Sequence, residues 1–139
     1  MIVPVRYNIQ SNAYVMCIDL NNTPAGFEDN LDGSTFSNLL RRNQAYVELT
    51  QTVIDAHVDP RVSLKRQMEI HPSRVCGALR LIEASGDKIY YALTPVVSKH
   101  GNVIQQLDVQ KKLFLQPRLI YNGDIELIDI ITFDVVEVN

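Results

Sequence analysis

The sequence lacks the features that mark secreted and membrane-anchored proteins. It has only two cysteines, Cys17 and Cys76, and each lies inside an apolar run rather than in a disulfide framework. We therefore expect two reduced thiols buried in the core. The amino-terminal stretch lacks the basic start and long apolar segment of a signal peptide, and no apolar run approaches the roughly 20 residues of a membrane-spanning helix. These absences predict a protein of the cytoplasm that has no membrane partner.

Positive charge and mechanistic motifs are also scarce. The formal net charge is −3, so no overall positive field attracts nucleic acid or anionic lipid. The chain contains no glycine-rich phosphate loop, no paired-cysteine motif and no His-Glu-x-x-His arrangement, which argues against a nucleotide-dependent or zinc enzyme. We expect no nucleic-acid partner, no cofactor and no metal site.

The composition that remains is typical of a folded domain. The chain has 139 residues, of which 46% are hydrophobic and 21% are charged. A chain of this length buries a substantial core without disulfides or metals, and these proportions exclude a disordered or fibrous protein. They predict a single domain over residues 1–139.

Three pairs of segments rich in Val, Ile and Tyr each flank a short polar turn and predict hairpins. The pairs are 2–9 with 13–20, 75–84 with 88–97, and 114–121 with 125–138. Ser85-Gly86-Asp87 joins the clearest short hairpin, and the Asn-Gly of Asn122-Gly123-Asp124 suits a tight turn whose central residues need positive φ. In the last segment both alternating sets of residues are apolar, which predicts a central strand covered on both faces.

Two helices are predicted beside these strands. Apolar residues recur at three- and four-residue steps from Phe36 to Val47, and a second helix is expected over residues 102–113. The opposite, solvated face of the first helix would carry Arg41, Arg42, Gln44 and Glu48. The fold class is therefore α+β: a mostly antiparallel sheet or small β-barrel flanked by two helices.

The longest expected loop, residues 21–33, is acidic. Phe27 and Leu31 lie there among Glu28, Asp29 and Asp32. Apolar side chains among charges are typical of a docking segment that becomes ordered on contact, with an aromatic residue as its anchor. The alternative is a solvated loop without a partner.

Individual side chains give weaker chemical signals. Three histidines, His57, His71 and His100, are spread through the middle of the chain beside turn-type residues. Asp129 and Asp134 are an odd number of positions apart, so a regular strand directs them to opposite faces and they cannot share a cation or a substrate.

The order of elements is more specific than any single motif. A helix, a turn with His57, a β-hairpin and a second helix lead to the strand Phe114-Leu115-Gln116-Pro117-Arg118 and a closing strand ending Thr132-Phe133-Asp134-Val135-Val136. This order resembles the prohead, or capsid-maturation, serine proteases of tailed bacteriophages, which share their fold with the herpesvirus assemblins. The resemblance covers residues 36–136 and implies a histidine general base and a serine nucleophile.

The resemblance can be carried onto this chain only in part. Two positions match the histidine: His57, which has the better distance from the hairpin, and His71 in Glu69-Ile70-His71-Pro72. Arg118 matches the arginine of the family, but Gln116 and Pro117 stand where the nucleophilic serine is expected. Neither an amide nor a proline ring attacks a carbonyl. Ser98, the other serine near a histidine, falls before the second helix rather than on the expected strand.

The order of elements resembles that of the phage protease, but the nucleophilic serine is missing, so we expect a catalytically silent relative of that protease. Its role would be that of a minor capsid, head-decoration or assembly protein, with capsid proteins or copies of itself as partners. It would reside in the cytoplasm of the host cell and in the virion. Two alternatives stay open: an active serine hydrolase with an unrecognised nucleophile, and a small protein-binding regulator or protease inhibitor.

Overall fold

The structure, a computed structural model, describes residues 2–20, 41–49, 68–122 and 126–136. Within these ranges seven strands form a closed barrel, joined by one α-helix and one short 3-10 turn. The strands are β1 (Val3–Asn8), β2 (Ala13–Asp19), β3 (Gln44–Glu48), β4 (Val75–Ser85), β5 (Lys88–Pro95), β6 (Phe114–Asn122) and β7 (Glu126–Val136). The helix is α1 (Lys99–Val109), and the 3-10 turn is Pro72–Arg74.

The barrel runs in the order β1-β2-β5-β4-β3-β7-β6. Every neighbouring pair is antiparallel except β3 and β7, which run parallel through the pairs Val47 with Phe133 and Glu48 with Asp134. The predicted barrel is therefore confirmed. The three predicted hairpins are also confirmed as β1–β2, β4–β5 and β6–β7, and the last strand is central because it lies between β3 and β6.

Turn chemistry explains two of the connections. Between β1 and β2, the Asn8 side chain accepts hydrogen bonds from the backbone N–H groups of Gln10 and Ser11, and Asn12 has φ of +53°. Asparagine tolerates this left-handed conformation better than most residues do. Between β4 and β5, Gly86 has φ of +58°, a conformation that glycine adopts without steric cost.

Alternation along the strands places one set of side chains inside the barrel. The largest of these interior residues are Met16, Leu79, Tyr91, Leu93 and Phe133, all at most 2% exposed. The rings of Tyr91 and Phe133 lie 6.5 Å apart, and the Tyr91 hydroxyl donates to the Arg42 carbonyl oxygen at 3.0 Å. These interior side chains belong to one cluster of buried residues that forms the core of the barrel.

Helix α1 packs on the barrel through Ile104, which is fully buried in the core cluster. Gly77 in β4 allows this close approach, because a Cβ there would lie 3.1 Å from Cδ1 of Ile104 and 2.8 Å from Cδ1 of Leu93. The helix begins three residues earlier than predicted, with Ser98 accepting from the His100 N–H at its start, and it ends four residues earlier.

The other predicted helix is wrong in its carboxyl-terminal part. Residues Gln44–Glu48 form strand β3, and Glu48 is fully buried rather than solvated. Residues 36–40 lie outside the described residues. The described part of the chain therefore contains one helix on the barrel, not the two that were expected.

The expectation for the cysteines is half wrong. Both thiols are free and Cys76 is buried, but Cys17 is exposed. Met16 and Ile18, the neighbours of Cys17 in β2, are buried in the core cluster, so alternation places Cys17 on the outer surface.

Candidate functional site

The polar centre of the molecule lies on the outer face of the barrel, where β3, β7 and β6 adjoin. Directly paired residues share a face, so the register places Glu48 beside Asp134 and Arg118 beside Thr132. Their strand neighbours Val47 and Phe133 face the core. Although the polar residues are outside the barrel, they are buried: Glu48 is 0% exposed, Arg118 7% and Asp134 9%.

Arg118 is the hub of this buried ion cluster, which consists of Glu48, Arg118 and Asp134. Its guanidinium donates to both carboxylate oxygens of Asp134, from Nε at 2.9 Å and from the second terminal nitrogen at 2.5 Å. That same terminal nitrogen lies 3.4 Å from Oε1 of Glu48. The remaining terminal nitrogen donates to the backbone oxygen of Glu69 at 2.8 Å. All three guanidinium nitrogens therefore have protein acceptors.

The charge balance keeps Arg118 ionised. Burial by itself lowers the pKa of Arg118, but the hydrogen bonds and negative charge of Asp134, together with the charge of Glu48, outweigh burial and raise the pKa above its ordinary value. A buried bidentate pair of this kind holds its geometry tightly. Arg118 is thus held by groups of the protein itself rather than presented to a ligand.

The cluster also fixes residues 69–74, here called the strap, over the outer face. The His71 N–H donates to Oε2 of Glu48 at 3.2 Å. Farther along the strap, the Leu49 N–H donates to the Arg74 oxygen at 2.8 Å, and Nε of Arg74 donates to the Leu49 oxygen at 2.5 Å. These hydrogen bonds hold the strap over the ion cluster, and they satisfy polar groups that would otherwise be costly to bury.

The histidine on the strap faces partly toward solvent. Nε2 of His71 lies 3.3 Å from Oε2 of Glu69, and both side chains are about two-fifths exposed. Its backbone N–H, not its ring, contacts the buried ion cluster. His71 and Arg118 are therefore linked through Glu48, which accepts from the His71 backbone N–H and lies 3.4 Å from the Arg118 guanidinium.

The position expected for a nucleophile does not supply one. Gln116 pairs with Asp134 across β6 and β7 and is exposed, and Pro117 pairs with the core residue Phe133 and is buried. Ser98 has a structural role as the residue that caps α1. His57, Phe27 and Leu31 lie outside the described residues.

An apolar groove, here called the β3 groove, lies on the outer surface of β3 and β4 next to the strap. It consists of two adjoining cavities, of about 700 and 530 Å³, that share Tyr46 and Ile70. The first is also lined by Pro72, Val75, Val96, Ser98 and His100. The second is also lined by Arg42, Gln44, Ala45, Ala78, Leu79 and Ile131.

The sequence reasoning found Arg118 but missed its partners. Glu48 was assigned to a solvated helix face, and Asp134 was considered only for pairing with Asp129. The structure instead pairs Asp129 with Arg42 and Asp134 with Arg118. The run Phe133-Asp134-Val135, a carboxylate between apolar residues of a central strand, is the signal that Asp134 needs a buried cation.

Comparison with protein-family models, with curated proteins and with solved structures found no match to this chain. Across the described ranges, no helix is long and apolar enough to cross a membrane. The same residues contain no group of three or more His, Cys, Asp or Glu side chains that could hold a metal ion.

Proposed function

We propose that this chain is a non-catalytic assembly or structural protein of a tailed-phage head, built on a barrel of the prohead-protease type. The observation that carries the proposal is the engagement of Arg118. The residue that the resemblance aligns with the family arginine gives its donors to Asp134 and to the Glu69 backbone. A guanidinium held in this way stabilises the strap and is not available to stabilise charge on a substrate.

The finer part of the proposal rests on the order of the elements. From β4 onward that order is a hairpin, a helix, the strand that contains Arg118 and a closing strand, whereas β3 stands where the end of the first helix was expected. Fold alone does not determine function, so the step from barrel to phage head is an analogy with the family named above.

The chemistry of β6 supports the loss of catalysis. Gln116 and Pro117 occupy the expected nucleophile position, and an amide or a proline ring forms no acyl intermediate. A histidine without a nucleophile supplies only general-base catalysis. The partners that follow from the proposal are capsid proteins or further copies of the chain, in the host cytoplasm and in the assembled particle.

A fluorophosphonate probe tests the catalytic part. We expect no stoichiometric labelling of the purified chain, and the same result for Ser98→Ala as the matched control. Stoichiometric labelling of one serine in the folded chain, lost on heat denaturation, would overturn the proposal and favour the hydrolase alternative.

Quantitative mass spectrometry of purified particles tests the structural part. A decoration or minor capsid protein is present in a fixed number of copies for each particle after density-gradient purification. A regulator or a protease inhibitor is absent from such particles, so absence of the chain would favour that alternative and contradict the proposal.

A further inference from the structure

We infer that the β3 groove is a docking site for an extended, acidic segment of a partner protein that carries apolar side chains. The inference goes beyond the proposed function, because it depends on the groove alone and would hold whether or not the chain belongs to a phage head. Its support comes from the apolar floor of the groove, the charge of its rim and its shape.

The floor of the groove exposes apolar surface that a folded protein usually covers. Tyr46 is 55% exposed although it lies in the middle of a strand, and its directly paired neighbour Ala78 is also exposed. Ile70 on the strap lines both cavities. An exposed tyrosine among aliphatic side chains is characteristic of protein-binding surfaces, because its ring offers a large contact area and its hydroxyl a hydrogen bond.

The rim of the groove is positively charged. Arg80 is exposed and pairs directly with the lining residue Gln44, Lys99 lies between the lining residues Ser98 and His100, and Arg74 ends the strap. Among the described residues next to the lining, Asp129 is paired with Arg42, and Glu69 lies 3.3 Å from His71. In a chain of net charge −3, a local excess of positive charge favours an acidic ligand.

The shape of the groove fits an extended peptide better than a compact ligand or a nucleic acid. The second cavity lies along β3 from Gln44 to Tyr46, a length of about 7 Å at roughly 3.3 Å per residue, and the first extends to Ser98 and His100 at the start of α1. Alternate side chains of an extended segment would enter the two cavities. Nucleic acids need cations along the groove that track the phosphate backbone, whereas Arg42, the arginine in this lining, is already paired with Asp129.

Binding of a synthetic peptide tests the inference. A fluorescein-labelled peptide that copies residues 21–33 is a suitable probe, because it carries Glu28, Asp29 and Asp32 together with Phe27 and Leu31. Its control has the three carboxylates replaced by the corresponding amides. By fluorescence anisotropy with the full chain, we expect saturable binding of the acidic peptide and affinity about tenfold lower for the control.

Variants on the floor of the groove locate the site. Ala78→Glu places a carboxylate on the exposed floor and should weaken binding by about tenfold, whereas Ala78→Gln adds nearly the same volume without charge and should have a smaller effect. Lys112→Gln, an exposed change beyond α1, should leave binding unchanged. Circular dichroism of each variant verifies that the barrel is folded.

Four outcomes would overturn the inference. They are the absence of saturable binding, equal binding of the acidic and amide peptides, and equal loss of affinity in Ala78→Glu and Ala78→Gln. The fourth is displacement of the acidic peptide by a single-stranded oligonucleotide at a lower concentration than by the unlabelled peptide, which would identify a nucleic acid as the ligand.

Discussion

The backbone N–H of His71 donates to the side chain of Glu48, 3.2 Å away and 23 positions earlier in the chain. Glu48 is fully buried, so this bond and the proximity of Arg118 offset the cost of removing its charge from water. The strap and the barrel therefore stabilise each other through one carboxylate. Breaking the buried ion cluster should affect both.

The first prediction concerns Arg118. Arg118→Met removes the cation that binds Asp134 in a bidentate pair and lies beside Glu48, so it should lower the free energy of unfolding by roughly 3–5 kcal/mol. The matched control, Arg80→Met, changes an exposed arginine and should alter it by less than about 0.5 kcal/mol. Urea denaturation measures the free energy of unfolding of both variants. Equal losses in the two would show that the buried ion pairing does not contribute to stability.

The carboxyl-terminal end of α1 gives a stabilising prediction. Lys111 has φ of +57°, and the helix ends with hydrogen bonds from the Lys111 N–H to the Asp108 oxygen and from the Lys112 N–H to the Leu107 oxygen. This is the Schellman pattern, in which the left-handed position normally holds glycine. Lys111→Gly should therefore raise the free energy of unfolding by about 0.5–1 kcal/mol.

Lys112→Gly is the control for that prediction, because this neighbour is exposed and its φ is not positive. Lys112→Gly should leave the free energy of unfolding unchanged or lower it, because glycine adds conformational freedom to the unfolded chain. A lower thermal midpoint for Lys111→Gly than for the natural chain would contradict the prediction.

The third prediction concerns alkaline pH. Burial raises the pKa of the Cys76 thiol from its ordinary value of 9.0 to about 12. Below pH 9 both the folded and the unfolded chain keep this proton, so stability does not depend on it. Between pH 9 and 12 only the unfolded chain releases it, so the free energy of unfolding should fall by up to about 1.4 kcal/mol for each pH unit.

Urea midpoints at several alkaline pH values check the contribution of Cys76. The decline should be shallower in Cys76→Ala, whatever that variant does to stability at neutral pH. Burial also raises the pKa of Tyr91 to about 12, so Tyr91 adds to the decline in both proteins. Val97→Ala changes an exposed side chain without an ionisable group, so it is the control and should leave the slope unchanged. An unchanged slope in Cys76→Ala would be inconsistent with a buried thiol.

The fourth prediction concerns the core of the barrel. Phe133 is 2% exposed and packs near Tyr91, so Phe133→Ala should destabilise the protein by roughly 3–5 kcal/mol through lost burial and the cavity left behind. Val97→Ala removes an exposed apolar side chain and should change stability by less than about 0.5 kcal/mol. Differential scanning calorimetry compares the two; a near-normal Phe133→Ala would place β7 outside the core.

Local patterns were sufficient for the hairpins and insufficient for β3. Turn residues and β-branched segments lie close together in sequence, so the β1–β2, β4–β5 and β6–β7 pairs could be predicted. Near Val47 the sequence fits both a helical spacing of apolar residues and a strand in which buried Val47 alternates with exposed Gln44 and Tyr46. The segment forms a strand because it pairs with β4 and β7, which lie far away in sequence.

The buried ion cluster could not be predicted from local sequence patterns either, because it also depends on contacts between distant strands. Whether Glu48 is solvated or buried depends on Arg118, which the fold brings near from another strand. The boundaries of α1 were misplaced because Ser98 was not recognised as its cap, and because a lysine rather than a glycine occupies the left-handed position after the helix.

The parallel contact between β3 and β7 has a consequence for synthesis on the ribosome. Tyr46 accepts a hydrogen bond from Thr132, a residue 86 positions later, and β7 is also the partner of β6. Until residues 126–136 have left the exit tunnel, β3 and β6 each present an unpaired edge that can recruit strands from other nascent chains. Productive folding of this barrel must therefore wait for its last strand, and chaperone demand should peak just before that strand emerges.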